Sequence, residues 1–305
     1  MSRDSKPYRF SIVFGTLLLG GLASCTRHAA QADTHAGHTA MVSSPTAMPG
    51  GDATIPAGAE QSAARLAKSP RHGEYALIRT GPRDSVRAWI SYPERAGKAP
   101  VVIVVHEIYG LSTWVRGVAD QLAADGFIAV APDLLTGKAT PAPGEDTLTR
   151  AVASATIRTL KAEDVQRQLA AIGQYAMALP AAQRSYGVVG FCWGGSTSFA
   201  SAVASSAGQA AAVVYYGSSP APAMLGSVKV PVLGLYAGDD ARVNVTIAPA
   251  DSAMRALGKP YETHIFPGSG HGFLRQQDGR DGANLGASKQ AWPLTVNFFR
   301  THLGP

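Results

Sequence analysis

Between residues 72 and 303, short apolar runs rich in β-branched residues alternate with stretches of helical periodicity. Residues 86–91, 101–106, 127–131, 185–191, 211–216, 230–236 and 261–266 all read as strands. Several are apolar at every position rather than at every second one, the pattern of strands covered on both faces. Across 160–179, Leu169, Ile172, Ala176 and Leu179 recur at helical spacing and mark one buried helix face. Strand and helix alternating over this length predict an α/β fold, a doubly wound and mostly parallel sheet with helices on both faces.

The pattern stops on the N-terminal side. Residues 26–70 are Ala, Thr, Ser, Pro, Gly and scattered His, with no Phe, Trp or Tyr, so they read as a tether that buries too little apolar surface to order itself. His28, His35 and His38 in that stretch read as solvated side chains rather than metal ligands. Before it, Arg3, Lys6 and Arg9 precede an apolar run over 10–23, the layout of an export signal and too short for a membrane-spanning helix. The run ends in Leu22-Ala23-Ser24-Cys25, which resembles the lipobox of bacterial lipoproteins. That resemblance implies a mature chain that starts at an acylated Cys25, is exported, and is held at a membrane without spanning it. The expected divisions are a signal segment over 1–24, lipidated Cys25 and tether over 25–70, and the α/β domain over 71–305.

Composition excludes other classes. With 46% hydrophobic and 16% charged residues the chain is neither disordered nor fibrous for most of its length. Removing 1–24 takes away Arg3, Lys6, Arg9 and Asp4, a net +2 from a formal +6, and the mild remainder gives no argument for nucleic acid. There are two cysteines, so lipidation of Cys25 leaves Cys192 without an internal disulfide partner.

Val188-Val189-Gly190-Phe191-Cys192-Trp193-Gly194-Gly195 carries the strongest chemical signal. A strand runs into Gly-x-Cys-x-Gly-Gly and then into a helix of small residues, the nucleophile-elbow pattern with Cys in place of Ser. The turn sets the thiol at a helix N-terminus, where the helix dipole is expected to favour thiolate. A base and an orienting acid then follow on loops after later strands. Asp239 and Asp240 end the 230–236 strand region, and periodicity does not separate them. His271 sits in the glycine-rich loop after 261–266, whereas His264 lies inside that strand and reads as structural.

Together these segments resemble the dienelactone hydrolases (carboxymethylenebutenolidases), α/β-hydrolases, over nearly the whole domain. Gly190-Phe191-Cys192-Trp193-Gly194-Gly195 is similar to their nucleophile motif, Gly238-Asp239-Asp240-Ala241-Arg242-Val243 to their acid motif, and Gly270-His271-Gly272-Phe273 to their histidine motif. The resemblance implies a triad of Cys192, Asp240 and His271. Val105-His106-Glu107-Ile108-Tyr109-Gly110 is similar to the segment carrying a glutamate beside the nucleophile, which implies that Glu107 governs the thiol proton. His106-Glu107 is no zinc motif, since a second His would be needed at the position of Gly110. The backbone amides of Ile108 and Trp193 would form the oxyanion hole, and Arg275 resembles an arginine that holds a substrate carboxylate. A second such arginine has no clear counterpart in 147–158.

The implied reaction is hydrolysis of a small ester or lactone through an acyl-thioenzyme, with no metal or organic cofactor. A thiol-dependent acyltransferase or peptidase would share the same residues. A non-catalytic envelope-binding lipoprotein would share the fold and the anchor, and a redox-sensing thiol would lack a resolving partner.

Overall fold

A computed structural model describes residues 52–145 and 148–304. In chain order its elements are α1 (Ala59–Leu66), β1 (Gly73–Gly81), β2 (Asp84–Ser91), β3 (Ala99–Val105), α2 (Thr113–Ala124), β4 (Ile128–Pro132), α3 (Arg150–Thr159), α4 (Ala162–Ala178) and β5 (Ala182–Phe191). They continue with α5 (Trp193–Ala204), β6 (Gln209–Tyr215), β7 (Val232–Asp239), α6 (Ala241–Asn244), α7 (Ile247–Ala256), β8 (Tyr261–Gly270) and α8 (Ala283–Leu303). The strands form one sheet in the order β1-β2-β4-β3-β5-β6-β7-β8. The β1–β2 and β2–β4 pairings are antiparallel and the rest are parallel, which is the α/β-hydrolase architecture expected from the sequence.

Strand β3 shows how sequence sets the layers. Every residue of Ala99–Val105 is buried, as an unbroken Val/Ile run predicts. Val102 and Val104 face a core layer with Trp114 of α2 and Trp292 and Phe299 of α8. Val101, Ile103 and Val105 face the opposite layer with Leu169 and Ile172 of α4. From β3 the chain first steps one way to β4 and then the other way to β5 and on to β8. The order therefore reverses at β3 and β5, where Val105 pairs with Gly190. Open α/β sheets bind ligands just beyond such a reversal, at the carboxyl ends of the strands. Glu107 and Cys192 follow those two strand ends directly.

Two elements go beyond the expectation. The edge strand β1 pairs with β2 as a hairpin, with a register shift between Arg79 and Gly81. The tether expected to reach residue 70 ends earlier, because the chain is ordered against the domain from Asp52. Ile55 is 2% exposed within the α2 and α8 core layer. The Arg65 guanidinium donates to the carbonyls of Asp52, Ala53 and Ile55 at 3.0, 2.8 and 2.7 Å and to Gln121 of α2. Arg71 pairs with Asp120 at 2.6 Å. A buried isoleucine and an arginine that satisfies three carbonyls pin to the domain a segment that a count of aromatic residues reads as tether. The signal segment, Cys25, and His28, His35 and His38 lie outside the described residues.

Candidate active site

Cys192 joins β5 to α5 with φ 56° and ψ −116°, a conformation that is costly for any residue with a Cβ. Its N–H donates to the Tyr215 carbonyl at 3.0 Å, and its own carbonyl accepts the Ser196 N–H at 3.1 Å. The flanking glycines are required by close approach. A Cβ on Gly190 would stand 1.9 Å from the Gly194 carbonyl oxygen, and one on Gly194 would stand 2.3 Å from that of Val105. The thiol does not follow the helix-dipole expectation. Burial, reinforced by the nearby Glu107 carboxylate, pushes its pKa up to about 11, and the Trp193 amide and the Arg242 charge offset this only in part. The dipole of one short helix is worth less than the desolvation of a thiolate in this position.

The acid and the histidine meet as their loops predict. Asp240 Oδ2 lies 2.5 Å from His271 Nδ1, and the carboxylate is buried. With Asp240 as partner, Nδ1 carries the proton and Nε2 is left as the basic nitrogen. The Asn244 amide donates to the Ala237 and Gly238 carbonyls and fixes the acid loop. Asn284 of α8 accepts the Gly270 N–H at 2.9 Å and fixes the histidine loop. Asp239 instead pairs with Arg280 at 2.8 Å near the surface, so the geometry separates two neighbours that periodicity did not.

Glu107 is buried, with Oε2 2.8 Å from Arg275 Nε. The N–H is not aligned for a straight hydrogen bond, so the contact is an ion pair rather than a two-pronged fork. Burial raises the Glu107 pKa to about 7 against the opposing pull of Arg275 and Tyr216. The Arg275 guanidinium also lies 5.2 Å from the centre of the Tyr109 ring. Ile108 packs on the cluster of Leu135, Leu148 and Ala153 in the loop after β3, and Trp193 is the first residue of α5.

Tyr216 is the neighbour that the motifs did not point to. It follows β6 with φ 39°, its ring meets His271 edge-on at 5.2 Å, and its fully buried hydroxyl makes no hydrogen bond of normal geometry while sitting close enough to Glu107 to lower that carboxyl's pKa. The trace it left in the sequence is an aromatic pair, Tyr215-Tyr216, at the end of an otherwise aliphatic strand just before Gly217. A separate recess of about 430 Å³ beside α1 and α2, lined by residues including Arg71, Trp89 and Asp120, holds neither thiol nor imidazole. The candidate catalytic side chains lie instead at the ends of β3, β5, β7 and β8.

Comparison with known proteins bears on the family and the fold. Residues 86–303 match the model of the dienelactone hydrolase family. A Salmonella typhi protein named for carboxymethylenebutenolidase activity is 28% identical over 269 residues, covering 82% of this chain and 98% of its own length. One from Saccharolobus solfataricus with the same name is 28% identical over 246 residues, covering 70% of this chain and 93% of its own. Among solved structures, one from Klebsiella pneumoniae named for dienelactone hydrolase superposes with a TM-score of 0.67 at 25% identity, covering 76% of this chain and 99% of its own.

Proposed function

Since the chain belongs to the dienelactone hydrolase family and is a hydrolase acting on esters or lactones, we propose that it works through Cys192 as a covalent nucleophile with His271 and Asp240. The observation that carries this reading is the pairing of His271 Nδ1 with Asp240 at 2.5 Å, at the same edge of the sheet as a cysteine held at φ 56°.

The resting thiol is neutral, since its pKa of about 11 lies far above neutral pH. Glu107, at about 7 and near enough to raise the thiol's pKa, takes the thiol proton. A substrate carboxylate drawn to Arg275 weakens the pair that holds Glu107 ionised and makes it a stronger base, so the thiolate forms when substrate is present. The sulfur then attacks the carbonyl carbon, and the Ile108 and Trp193 amides hold the oxyanion, a donor of this kind contributing about 10²–10³ in rate. The acyl–oxygen bond breaks, and the leaving oxygen takes up the proton given by sulfur. His271 next removes a proton from water, whose oxygen attacks the thioester; the acid leaves and the proton returns to sulfur.

Turnover of aryl esters and unsaturated lactones by the purified protein, and its loss in Cys192→Ala, tests this reading. We also propose export and lipid anchoring at Cys25, supported by the sequence of residues 1–25. Among the described residues no helix is long and apolar enough to cross a membrane. Cys25→Ala is expected to move the protein out of the membrane fraction, and a wild-type Cys25 peptide carrying no lipid contradicts the anchor.

A further inference from the structure

His106 stands outside the triad, yet it is 0% exposed and touches the supports of both oxyanion amides. Its Nδ1 lies 2.5 Å from the Glu107 carbonyl oxygen, and its Nε2 lies 3.1 Å from the Leu134 N–H. A carbonyl only accepts and an amide N–H only donates, so these contacts define one tautomer, with the proton on Nδ1 and a lone pair on Nε2. Burial favours the neutral ring. Leu134 follows β4, so the imidazole ties the loop after β3 to the loop after β4.

The consequence lies in a single peptide group. The Glu107 carbonyl and the Ile108 N–H belong to the same planar unit and point in opposite directions when it is trans. Whatever fixes the direction of that oxygen also fixes the direction of the N–H. The His106 ring in addition stacks on Trp193 with centroids 5.5 Å apart and planes 26° apart. The His106 carbonyl lies so close to Gly194 that a Cβ there would stand 2.4 Å from its oxygen. The peptide bearing one amide and the residue bearing the other therefore share this ring as a neighbour.

We propose that His106 is a positioning residue for the oxyanion hole: its Nδ1–H holds the Glu107 carbonyl, and so aims the Ile108 N–H at the substrate's carbonyl oxygen. The inference rests on the reading of Ile108 as an oxyanion donor. It assigns His106 no proton transfer and no contact with substrate.

Two substitutions separate the two ring nitrogens. His106→Asn sets an amide nitrogen where Nδ1 stands and keeps a donor for the Glu107 carbonyl. His106→Gln reaches the Nε2 position, keeps an acceptor for Leu134 and loses that donor. The readout is the rate ratio between an ester and its thionoester, because a thiocarbonyl sulfur is a poor hydrogen-bond acceptor and an aimed oxyanion hole favours the oxygen substrate. We expect His106→Gln to lose about 10- to 100-fold in ester kcat with little change in KM, part of what a complete donor supplies, and its ester-to-thionoester ratio to fall towards one. His106→Asn is expected to keep a ratio close to that of the wild type. Equal ratios in the two variants overturn the role of His106, whereas a wild type that does not distinguish the two substrates overturns the oxyanion reading beneath it. Should either variant fail to fold, ¹⁵N spectra of the wild-type histidines decide: His106 is expected with Nδ1 protonated and Nε2 bare at neutral pH, and the reverse tautomer overturns the proposal.

Discussion

Arg275 Nε stands 2.8 Å from Glu107 Oε2 where both side chains are largely closed off from water, so the resting site already holds an anion in the place where a substrate carboxylate would be recognised. The pair also links the site to the N-terminal segment, because the Arg275 carbonyl accepts the Ala59 N–H of α1 at 2.8 Å.

If an anionic substrate displaces Glu107 from Arg275, then Arg275→Ala raises KM for lactones bearing a carboxylate by about 10- to 100-fold, the range for a hydrogen bond to a charged group. KM for neutral aryl esters is expected to change by less than about threefold, whereas kcat on both substrate types reports the freed Glu107. Steady-state kinetics on both substrate types measures this, and equal rises in KM on the two exclude carboxylate recognition by Arg275.

Protonation sets a second expectation. Alkylation of Cys192 by iodoacetamide in the free protein is expected to rise with pH towards a midpoint near 11, above the ordinary thiol value of 9.0. Glu107→Gln removes a negative neighbour and shifts that midpoint down. The same carboxyl affects stability. Its folded pKa of about 7 lies above the ordinary 4.5, so its contribution is complete below pH 4.5 and is lost as pH rises towards 7. Unfolding free energies of the wild type, from denaturant titrations, are therefore expected to fall across that window relative to Glu107→Gln, by an amount on the order of 3 kcal/mol at 1.36 kcal/mol per pKa unit. Parallel curves contradict the raised carboxyl.

Ordering of residues 52–70 predicts a stability difference. A chain starting at residue 71 lacks Ile55 and Arg65 and uncovers part of the α2 surface. Compared with a chain starting at residue 52 it is expected to lose about 1.5–3 kcal/mol, the worth of burying one isoleucine side chain. Identical urea midpoints show that the segment adds nothing.

How far the sequence revealed this molecule depended on whether a signal was local. Cys192 between its glycines, Asp240 and His271 each stand in a short motif after a strand, β3 is legible as an apolar run and β5 as the apolar stretch that leads into Cys192. The edge strand β1 alternates weakly, with Tyr75 and Leu77 turned to solvent, so its pattern does not stand out as a strand in the sequence. Helix α1 owes its order to partners such as Gln121, 56 positions away from Arg65. Tyr216 and the pairing of Glu107 with Arg275 arise when separate strand ends are brought side by side, which no window along the chain contains. The thiol's raised pKa reverses the local expectation for the same reason: the helix N-terminus is a local feature, whereas burial and the Glu107 charge come from the assembled site.

The most direct test of the nucleophile is to trap it. Brief mixing of the protein with a slowly hydrolysed aryl ester, acid quenching and peptide mass spectrometry are expected to show one added acyl group on the peptide containing Cys192. The adduct is expected to accumulate in His271→Ala, which loses about 10²–10⁴ in its water-dependent step, and to be absent from Cys192→Ala, which has no turnover. An acyl group on another residue, or Cys192→Ala turning over at close to the wild-type rate, contradicts covalent catalysis by Cys192.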